Sequence, residues 1–569
     1  MVTLVAGCYG ISRAQPWRDE LATWSAATRP VGDLFRLTRT VDAATGPYYL
    51  LVHAWTRLLG DSVTALRLPS VLAMAGAAGL TAVLGRRLFG APAGLLAGLL
   101  FAVLPATSRY AQEARPYALV TLFAVLVTLL LVRALDRPGV LRWSFYTAAV
   151  AGLGLAHLLA LGLLAAHAVV VLTARSTAPH RPGTAKPDDA GPGDDGSGDD
   201  GSGGRLRDRR LSGWAVAVLG AVLVLAPLLV VAQGQRSHQL DWIAPARLAD
   251  LAALPGGLAQ GGVVGGVLVG LAALGAARSG WRGLLPGACA VLPVLLLFVA
   301  ALAVPLWVPR YLFFTVPFAC LLAGAALAGP SPPTAPTRTG LPEAARPSPA
   351  GTKPAGPAGA GRAGPAGMAA GTGVEEAAGR RAGVAAGTGA GVAVVVLAGL
   401  LGLPDQAAVR HSHGWPRSAT VDYRGAAAVI AAGQRPGDAV VYAPRDGWLF
   451  LDLGVDYHLT RRGDDAPTGV PTDPPGGGPG TGTIAGIHPR DVLVTGDRRE
   501  RADLWVDECA RPAECLAGVD RVWLVVAGRR DDPLAAVPGA KGDALRAGFT
   551  VAEVRPRPGV TVALLVRNG

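Results

Sequence analysis

The chain has 569 residues, of which 51% are hydrophobic and 16% are charged; soluble globular proteins carry about 25% charged residues, and disordered or collagen-like chains contain more Gly and Pro than this one. The composition therefore indicates a membrane protein and excludes a soluble, a fibrous or a wholly disordered one. A net charge of +12 would also suit nucleic-acid binding, but the Arg residues mostly flank apolar runs, as in membrane proteins, and no nucleic-acid partner is expected.

Eleven apolar segments are predicted to be membrane helices, since about 20 apolar residues cross a bilayer. They cover residues 1–11, 66–85, 90–107, 118–134, 143–157, 158–174, 211–232, 256–277, 284–304, 311–329 and 386–404. The first segment is too short to cross alone, which predicts either a chain start further upstream or a partner that completes the span. The fifth and sixth segments are compatible with two helices or with one long helix.

The loop after the first segment, residues 12–65, carries an acidic pair, Asp19 and Glu20, between Trp17 and Trp24. Tryptophan is typical of the membrane–water interface, so the pair is expected just outside the bilayer. At the start of a helix, such a pair also has a purely structural interpretation, because negative charge stabilises a helix N-terminus. A second acidic side chain, Asp42, follows later in the same loop.

The next loop on this side contains Glu113, Arg115 and Tyr117 within five residues. An arginine there can hold a phosphate through two parallel hydrogen bonds, or it can simply pair with the nearby glutamate. Later turns on the same side add His157, which has a core-histidine alternative, and the Arg310–Tyr311 pair.

Arginine placement predicts the topology, because cytoplasmic loops carry the excess of positive charge. Arg86, Arg87, Arg133, Arg137 and Arg142 lie in loops of one side. That side is predicted to be cytoplasmic, so the chain after residue 404 is predicted to lie outside.

Two polar stretches are predicted to be disordered cytoplasmic segments, because their low apolar content cannot offset the entropy of ordering. One is the insert 176–210 within a membrane domain that covers residues 1–330. The other is the Pro/Ala/Gly-rich linker 331–385, which precedes the last membrane helix at 386–404.

Residues 405–569 have a soluble pattern and are predicted to form an α/β domain. Short apolar runs predict buried strands at 438–442, 491–495, 521–527 and 560–566, with helices at 424–433 and 539–547. Cys509 and Cys515 are predicted to form a disulfide, because this domain is expected in an oxidising compartment.

With this topology, the acidic and arginine side chains share one membrane face. A carboxylate can take a proton from an acceptor hydroxyl while arginines stabilise a departing phosphate, so the pattern favours chemistry on a lipid phosphate. One alternative is a lipid or polysaccharide transporter, which would place charges near the bilayer midplane and often contains internal repeats. Another is a non-catalytic membrane scaffold.

The motifs together resemble the GT-C membrane glycosyltransferases, the superfamily of protein O-mannosyltransferases and aminoarabinose transferases, and most closely their actinobacterial mannosyltransferase-like members. The resemblance covers most of residues 12–330 and rests on these segments: Trp17-Arg-Asp-Glu20, Gly46-Pro-Tyr-Tyr-Leu50, Arg67-Leu-Pro-Ser70, Gln112-Glu-Ala-Arg-Pro-Tyr117 and Pro309-Arg-Tyr311. It implies a GT-C fold with about 11 transmembrane helices and an extracytoplasmic C-terminal α/β domain.

The resemblance also implies an activity, the inverting transfer of a hexose from a polyprenyl-phosphate sugar in the plasma membrane. Mannose is the hexose that the resemblance favours. The implied acceptor is an extracytoplasmic protein, lipid or cell-wall glycan, and the requirement for a divalent metal stays open. The implied roles are a catalytic base at Asp19 supported by Glu20, donor phosphate-binding groups at Arg115, Tyr117, Arg310 and Tyr311, and supporting groups at Asp42, Glu113 and His157. Glu113 would orient Arg115 or help to hold a metal.

Overall fold

The structure is a computed structural model that describes residues 1–173, 200–235, 243–329, 388–412, 421–445, 447–461 and 488–569. Most of the described chain is helical, and a β-sheet domain follows at the C-terminal end. The linker predicted at 331–385 and most of the insert predicted at 176–210 lie outside the described residues.

Within the described residues, five helical segments are long and apolar enough to cross a membrane: Val63–Phe89, Tyr117–Asp136, Arg209–Gly234, Gly262–Ala303 and Pro309–Leu327. Two bent pairs, Ala91–Val103 with Pro105–Ala111 and Thr388–Leu401 with Leu403–His411, raise the number to seven if each pair is one span. Fewer spans therefore meet this criterion than the eleven predicted, because several apolar segments form shorter or broken helices. The protein is nevertheless a multi-pass membrane protein.

The shorter apolar helices are Val140–Ala156, Leu158–Thr173 and Leu248–Ala259. The first two are separate rather than merged, because the backbone at His157 is extended, with φ −166° and ψ 114°. At the start of the chain, a helix of seven residues covers Val2–Cys8, too short to cross a bilayer of about 30 Å.

Small residues allow close helix packing, as is usual in membranes. A Cβ atom added to Gly94 would lie 2.4 Å from the carbonyl oxygen of Ala82, and one added to Gly275 would lie 1.9 Å from that of Leu322. Backbone therefore meets backbone at these two crossings, and no larger residue fits without a shift of the helices.

The first loop folds into four short helices, Arg18–Ala27, Val31–Thr40, the 3-10 turn Ala43–Thr45 and Gly46–Leu59. Their buried side chains, such as Leu21, Leu34 and Val52, share one core with residues of the C-terminal domain, such as Tyr423 and Tyr457. This common core fixes the loop against the C-terminal domain.

The two ends of the Val63–Phe89 helix mark the two faces of the membrane domain. Arg67 at one end contacts Glu20 of the first loop, and Arg87 at the other end pairs with Asp136. Twenty residues separate the two arginines, which is about 30 Å of helix and matches the hydrocarbon thickness. Arg133, Arg137 and Arg142 line a pocket together with Arg87, so the arginine-rich loops meet at the end opposite to the first loop.

The C-terminal domain contains a five-stranded sheet with the order β2-β1-β5-β7-β6. Its strands are β1 Ala439–Ala443, β2 Arg490–Asp491, β5 Arg521–Ala527, β6 Phe549–Arg557 and β7 Val560–Arg567, and a separate pair is formed by β3 Val494–Gly496 and β4 Asp507–Glu508. Strand β1 runs parallel to β2 and β5, whereas β7 is antiparallel to β5 and β6. The helices are Tyr423–Gly433, Leu451–Arg461, Pro512–Cys515 and Gly539–Gly548.

Several elements differ from the sequence prediction. The helix Asp200–Gly234 begins inside the segment 176–210 that was expected to be disordered. The exposed strand Phe549–Arg557 and the helix Leu451–Arg461 were not predicted. The strand has no continuous apolar run by which it could have been predicted, and its pairing with Val560–Arg567 stabilises it.

A disulfide joins Cys509 and Cys515.

Candidate functional site

Asp19 lies in the first turn of the Arg18–Ala27 helix, on the wall of a cavity of about 490 Å³. The helix N-terminus favours a negative charge at this position. The carboxylate contacts two cations, with Arg18 Nε at 3.6 Å and Arg310 Nη2 at 3.6 Å, and 14% of its side chain is exposed. Asp19 is therefore a charged acceptor open to the cavity.

Arg310 lies in the 3-10 turn Pro309–Thr315, where the chain enters a membrane helix. Its Nε donates a hydrogen bond to the hydroxyl of Tyr117 at 2.9 Å. Its guanidinium also lies 5.7 Å from the ring centres of Trp17 and Tyr311. These contacts hold the cation beside Asp19, with Tyr117 and Tyr311 on the same cavity wall.

Arg115 reaches the same cavity from the turn that joins Pro105–Ala111 to Tyr117–Asp136. Burial lowers its pKa, but the neighbouring Tyr49, Asp19 and Asp42 raise it, and the net pKa lies well above the ordinary value. Arg115 Nε is buried without a hydrogen-bond partner among the described residues. A permanently charged guanidinium with an unused donor suits an anionic ligand.

Glu20 does not line the cavity but forms a buried ion pair with Arg67. The Nε and Nη2 atoms of Arg67 lie 2.8 and 2.7 Å from the two carboxylate oxygens, and Arg67 is 1% exposed. Glu20 also accepts a hydrogen bond from the backbone N–H of Ala114 at 2.8 Å. It thus ties the helix of Asp19 to the turn of Arg115.

Asp42 lines the cavity from the first loop, where its φ of 56° places it in the left-handed region. It accepts hydrogen bonds from the hydroxyls of Tyr49 and, at 2.8 Å, Thr45. Burial raises its pKa, although Arg115 and the two hydroxyls oppose that shift. Asp42 is therefore a hydrogen-bonded acidic group that interacts electrostatically with Arg115.

Glu113 is 1% exposed, and its carboxylate lies 3.7 Å from Arg109 Nε. Burial raises its pKa to about 7, while Arg109 acts in the opposite direction. The backbone carbonyl of Glu113 accepts hydrogen bonds from Arg115 N–H at 2.8 Å and from Ser70 Oγ at 2.7 Å. Its link to Arg115 in the structure is thus through the backbone, whereas its side chain faces Arg109.

His157 lines the cavity at the break between two apolar helices, and its ring centre lies 4.8 Å from that of Tyr311. Burial, together with Arg115 and Arg310, lowers its pKa to about 4. The imidazole is therefore neutral near pH 7 and lines the cavity as an uncharged polar group.

Among the described parts of the chain, no three His, Cys, Asp or Glu side chains are grouped so that they could hold a metal ion. Glu113, which was expected either to orient Arg115 or to bind a metal, faces the cation of Arg109.

The structure thus brings the predicted residues Asp19, Asp42, Arg115, Tyr117, His157, Arg310 and Tyr311 to one cavity, and places Glu20 and Glu113 behind it. Sequence reasoning missed Arg18, which pairs with Asp19, and three residues of the C-terminal domain, Trp448, Phe450 and Leu504. Only adjacency to Asp19 could have indicated Arg18. No motif could have indicated the other three, since more than 400 residues separate them from Asp19.

The cavity walls differ in chemistry. The charged centre is formed by Asp19, Arg115 and Arg310, whereas a membrane helix and the loop after another one contribute apolar side chains, including Leu229 and Leu306. Its volume falls within the range of small-molecule sites, about 300–1,000 Å³. The arrangement can hold an anionic group next to a carboxylate, with an apolar chain attached.

The chain is similar to known proteins in part of its sequence and in its fold. A family model described as dolichyl-phosphate-mannose-protein mannosyltransferase matches residues 46–182, a range that includes Arg115, Tyr117 and His157 but not Asp19 or Arg310. No curated protein matches the sequence. The crystal structure of ArnT from Cupriavidus metallidurans in the apo state is similar at 14% identity, with 99% of this chain and 96% of that chain covered and a TM-score of 0.54. The structure of the same protein bound to undecaprenyl phosphate is also similar, with the same identity of 14%, the same coverages of 99% and 96%, and a TM-score of 0.52.

Proposed function

We propose that the chain is a GT-C membrane glycosyltransferase that transfers a hexose from a polyprenyl-phosphate sugar to an acceptor hydroxyl, a proposal supported by its ArnT-like fold and by the match of residues 46–182 to the family model. The observation that carries the proposal is the contact of 3.6 Å between Asp19 and Arg310 in a cavity that also holds Arg115. A proton acceptor and two phosphate-binding cations meet there. The undecaprenyl phosphate bound by ArnT supports a polyprenyl phosphate as the donor lipid.

The reaction is a single displacement. Asp19 takes the proton of the acceptor hydroxyl, the acceptor oxygen forms a bond to the anomeric carbon, and the bond from that carbon to the phosphate oxygen breaks. Attack from the side opposite to the leaving group inverts the anomeric centre. The polyprenyl phosphate leaves with the electron pair, and Arg115, Arg310 and the Tyr117 hydroxyl stabilise its charge.

The apolar wall of the cavity, which includes Leu158, Leu159, Leu229 and Leu306, suits the first isoprene units of the lipid. These side chains are as apolar as lipid tails, so the isoprene units can pass from the bilayer to this wall without contact with water. The donor therefore enters from the membrane helices, with its phosphate at the arginines and its sugar beside Asp19.

The cavity lies outside the cytoplasm in this proposal. Arg87, Arg133, Arg137 and Arg142 meet at the opposite end of the membrane domain, and arginine-rich loops are typically cytoplasmic. The description of the matched family model names a mannosyltransferase, which supports mannose as the transferred hexose. The acceptor is an extracytoplasmic protein, lipid or glycan.

The test uses membranes that contain the full chain and polyprenyl phosphates carrying radiolabelled mannose, glucose or arabinose. We expect transfer of label from the mannose donor and its loss in the Asp19→Asn variant. Transfer from another donor alone would refute the assignment of mannose. Absence of transfer from all three donors, with folded protein present, would refute the glycosyltransferase function and favour a transporter or a scaffold.

A further inference from the structure

The C-terminal domain closes part of the catalytic cavity. Trp448, Phe450 and Leu504 come from this domain and line the same cavity as Asp19. We call these three residues the roof. The roof consists of apolar side chains, and the indole N–H of Trp448 is its single side-chain donor.

Two roof residues, Trp448 and Phe450, belong to an aromatic cluster that also includes Trp505. The ring of Trp448 stands at 85° to those of Phe450 and Trp505, with ring centres 6.1 and 4.8 Å apart. Phe450 and Trp505 stack on each other at 28°, with centres 5.4 Å apart. Edge-to-face and offset-stacked contacts of this kind fix ring orientation, so Trp448 is held in one position at the cavity.

Phe450 occupies a strained backbone conformation. Its φ is 47°, in the left-handed region, where a bulky non-glycine residue is unusual. Backbone strain of this kind clusters at functional sites. The conformation occurs at the start of the Leu451–Arg461 helix and places the ring at the cavity wall.

The roof is attached to the helix that carries Asp19. Arg29, 2% exposed, lies just beyond this helix and donates hydrogen bonds to the carbonyl oxygens of Arg498 at 3.2 Å and Asp503 at 2.7 Å. In addition, Trp24 packs edge-on against Tyr457, with ring centres 5.0 Å apart. These contacts fix the distance between the catalytic carboxylate and the roof.

We propose that Trp448, backed by Phe450 and Trp505, is a sugar-binding platform. The proposal rests on the function proposed above, and it specifies what the cavity recognises beyond a phosphate. The C–H groups on one face of a pyranose ring are apolar and slightly positive, and they complement the negative face of an aromatic ring. An extended peptide would instead need backbone partners, which the roof side chains do not supply.

The sugar ring can come from two sources, the hexose of the donor or a carbohydrate acceptor. Two measurements on the purified full-length protein distinguish them. The first compares the affinities for polyprenyl-phosphate mannose and for polyprenyl phosphate without sugar. The second measures KM for octyl α-mannoside and for a capped threonine-containing peptide as acceptors.

We expect Trp448→Ala to weaken sugar binding about five- to tenfold, as an aromatic contact of about 1 kcal/mol implies, and Trp448→Phe to restore most of it. If Trp448 contacts the hexose of the donor, Trp448→Ala would lower the ratio of the affinity for polyprenyl-phosphate mannose to the affinity for polyprenyl phosphate. If Trp448 contacts a carbohydrate acceptor, Trp448→Ala would raise KM for octyl α-mannoside and leave the affinity ratio of the two lipids unchanged. Either result supports the proposal.

The proposal is overturned if Trp448→Ala changes neither quantity, or if it affects only the peptide acceptor. Trp281→Ala is the matched control, because it removes an exposed indole that does not line the cavity. Thermal unfolding of each variant separates a binding effect from a loss of folding. If the wild type transfers no sugar from any donor, the proposed function fails, whereas the comparison of lipid affinities still tests the platform.

Discussion

Arg310 lies 3.6 Å from the carboxylate of Asp19, although 291 positions of sequence separate the two residues. The contact joins the N-terminal turn of the Arg18–Ala27 helix to the entry of the last helix before the linker. A carboxylate that accepts a proton and a cation that stabilises a departing phosphate need this proximity, since both act on one anomeric centre.

The proposed role of Asp19 as a base predicts that Asp19→Asn lowers the rate of transfer by about 10² to 10⁴-fold. The amide keeps the volume but cannot take a proton at neutral pH. The measurement is the initial rate with radiolabelled polyprenyl-phosphate mannose. Asp33→Asn, in the next helix of the same loop and paired with Arg36, should leave the rate near that of the wild type. A rate for Asp19→Asn equal to that of this control would contradict the assignment.

The proposed binding of the donor phosphate by Arg115 predicts that Arg115→Lys raises KM for the donor about tenfold or more. Lysine keeps the charge but cannot form two parallel hydrogen bonds to one phosphate. Steady-state kinetics at varied donor concentration provides the measurement, with Arg39→Lys, an exposed arginine of the first loop, as the matched control. An unchanged donor KM would show that Arg115 does not contact the phosphate.

The ion pair between Glu20 and Arg67 predicts a loss of stability on substitution. Glu20→Gln leaves the Arg67 cation buried without its counter-charge, which costs about 3–5 kcal/mol in comparable pairs. Thermal unfolding in detergent should show a lower Tm, and the Glu20→Gln/Arg67→Met double variant should recover part of it. A variant with full stability and no activity would instead indicate direct participation of Glu20 in catalysis.

Because the carboxyl group of Glu113 is buried, we expect the stability of the protein to depend on pH. Burial raises its pKa to about 7 from the ordinary value of 4.5, so the folded protein holds the proton more tightly than the unfolded chain. The contribution of this proton to the free energy of unfolding is fully present below about pH 4.5 and is lost as the pH rises through about 7. Glu113→Gln should remove this loss, which unfolding curves between pH 4.5 and 8 can detect.

Glu514→Gln is the control for that experiment, because the Glu514 side chain is largely exposed. It should retain the pH profile of the wild type. If Glu113→Gln shows the same decline as the wild type between pH 4.5 and 7, the buried carboxyl is not its source.

Much of the fold could be predicted from local patterns. Runs of about 20 apolar residues predict membrane helices because the bilayer sets that length, and the run at 118–134 corresponds to the helix Tyr117–Asp136. Apolar runs in the last part of the chain likewise predict buried strands such as Arg521–Ala527. The span count could not be predicted equally well, since a break such as that at His157 depends on neighbouring helices.

The sequence by itself determined a membrane protein with charged motifs at one face, because hydropathy and the type of side chain are local properties. It could not distinguish Asp19, open to the cavity, from Glu20, buried against Arg67, since adjacent residues on a helix point about 100° apart and only the packing decides which is covered. The tertiary structure alone brought Trp448 of the C-terminal domain to the same cavity as Asp19. Contacts between distant segments depend on how whole elements pack, which no local pattern records.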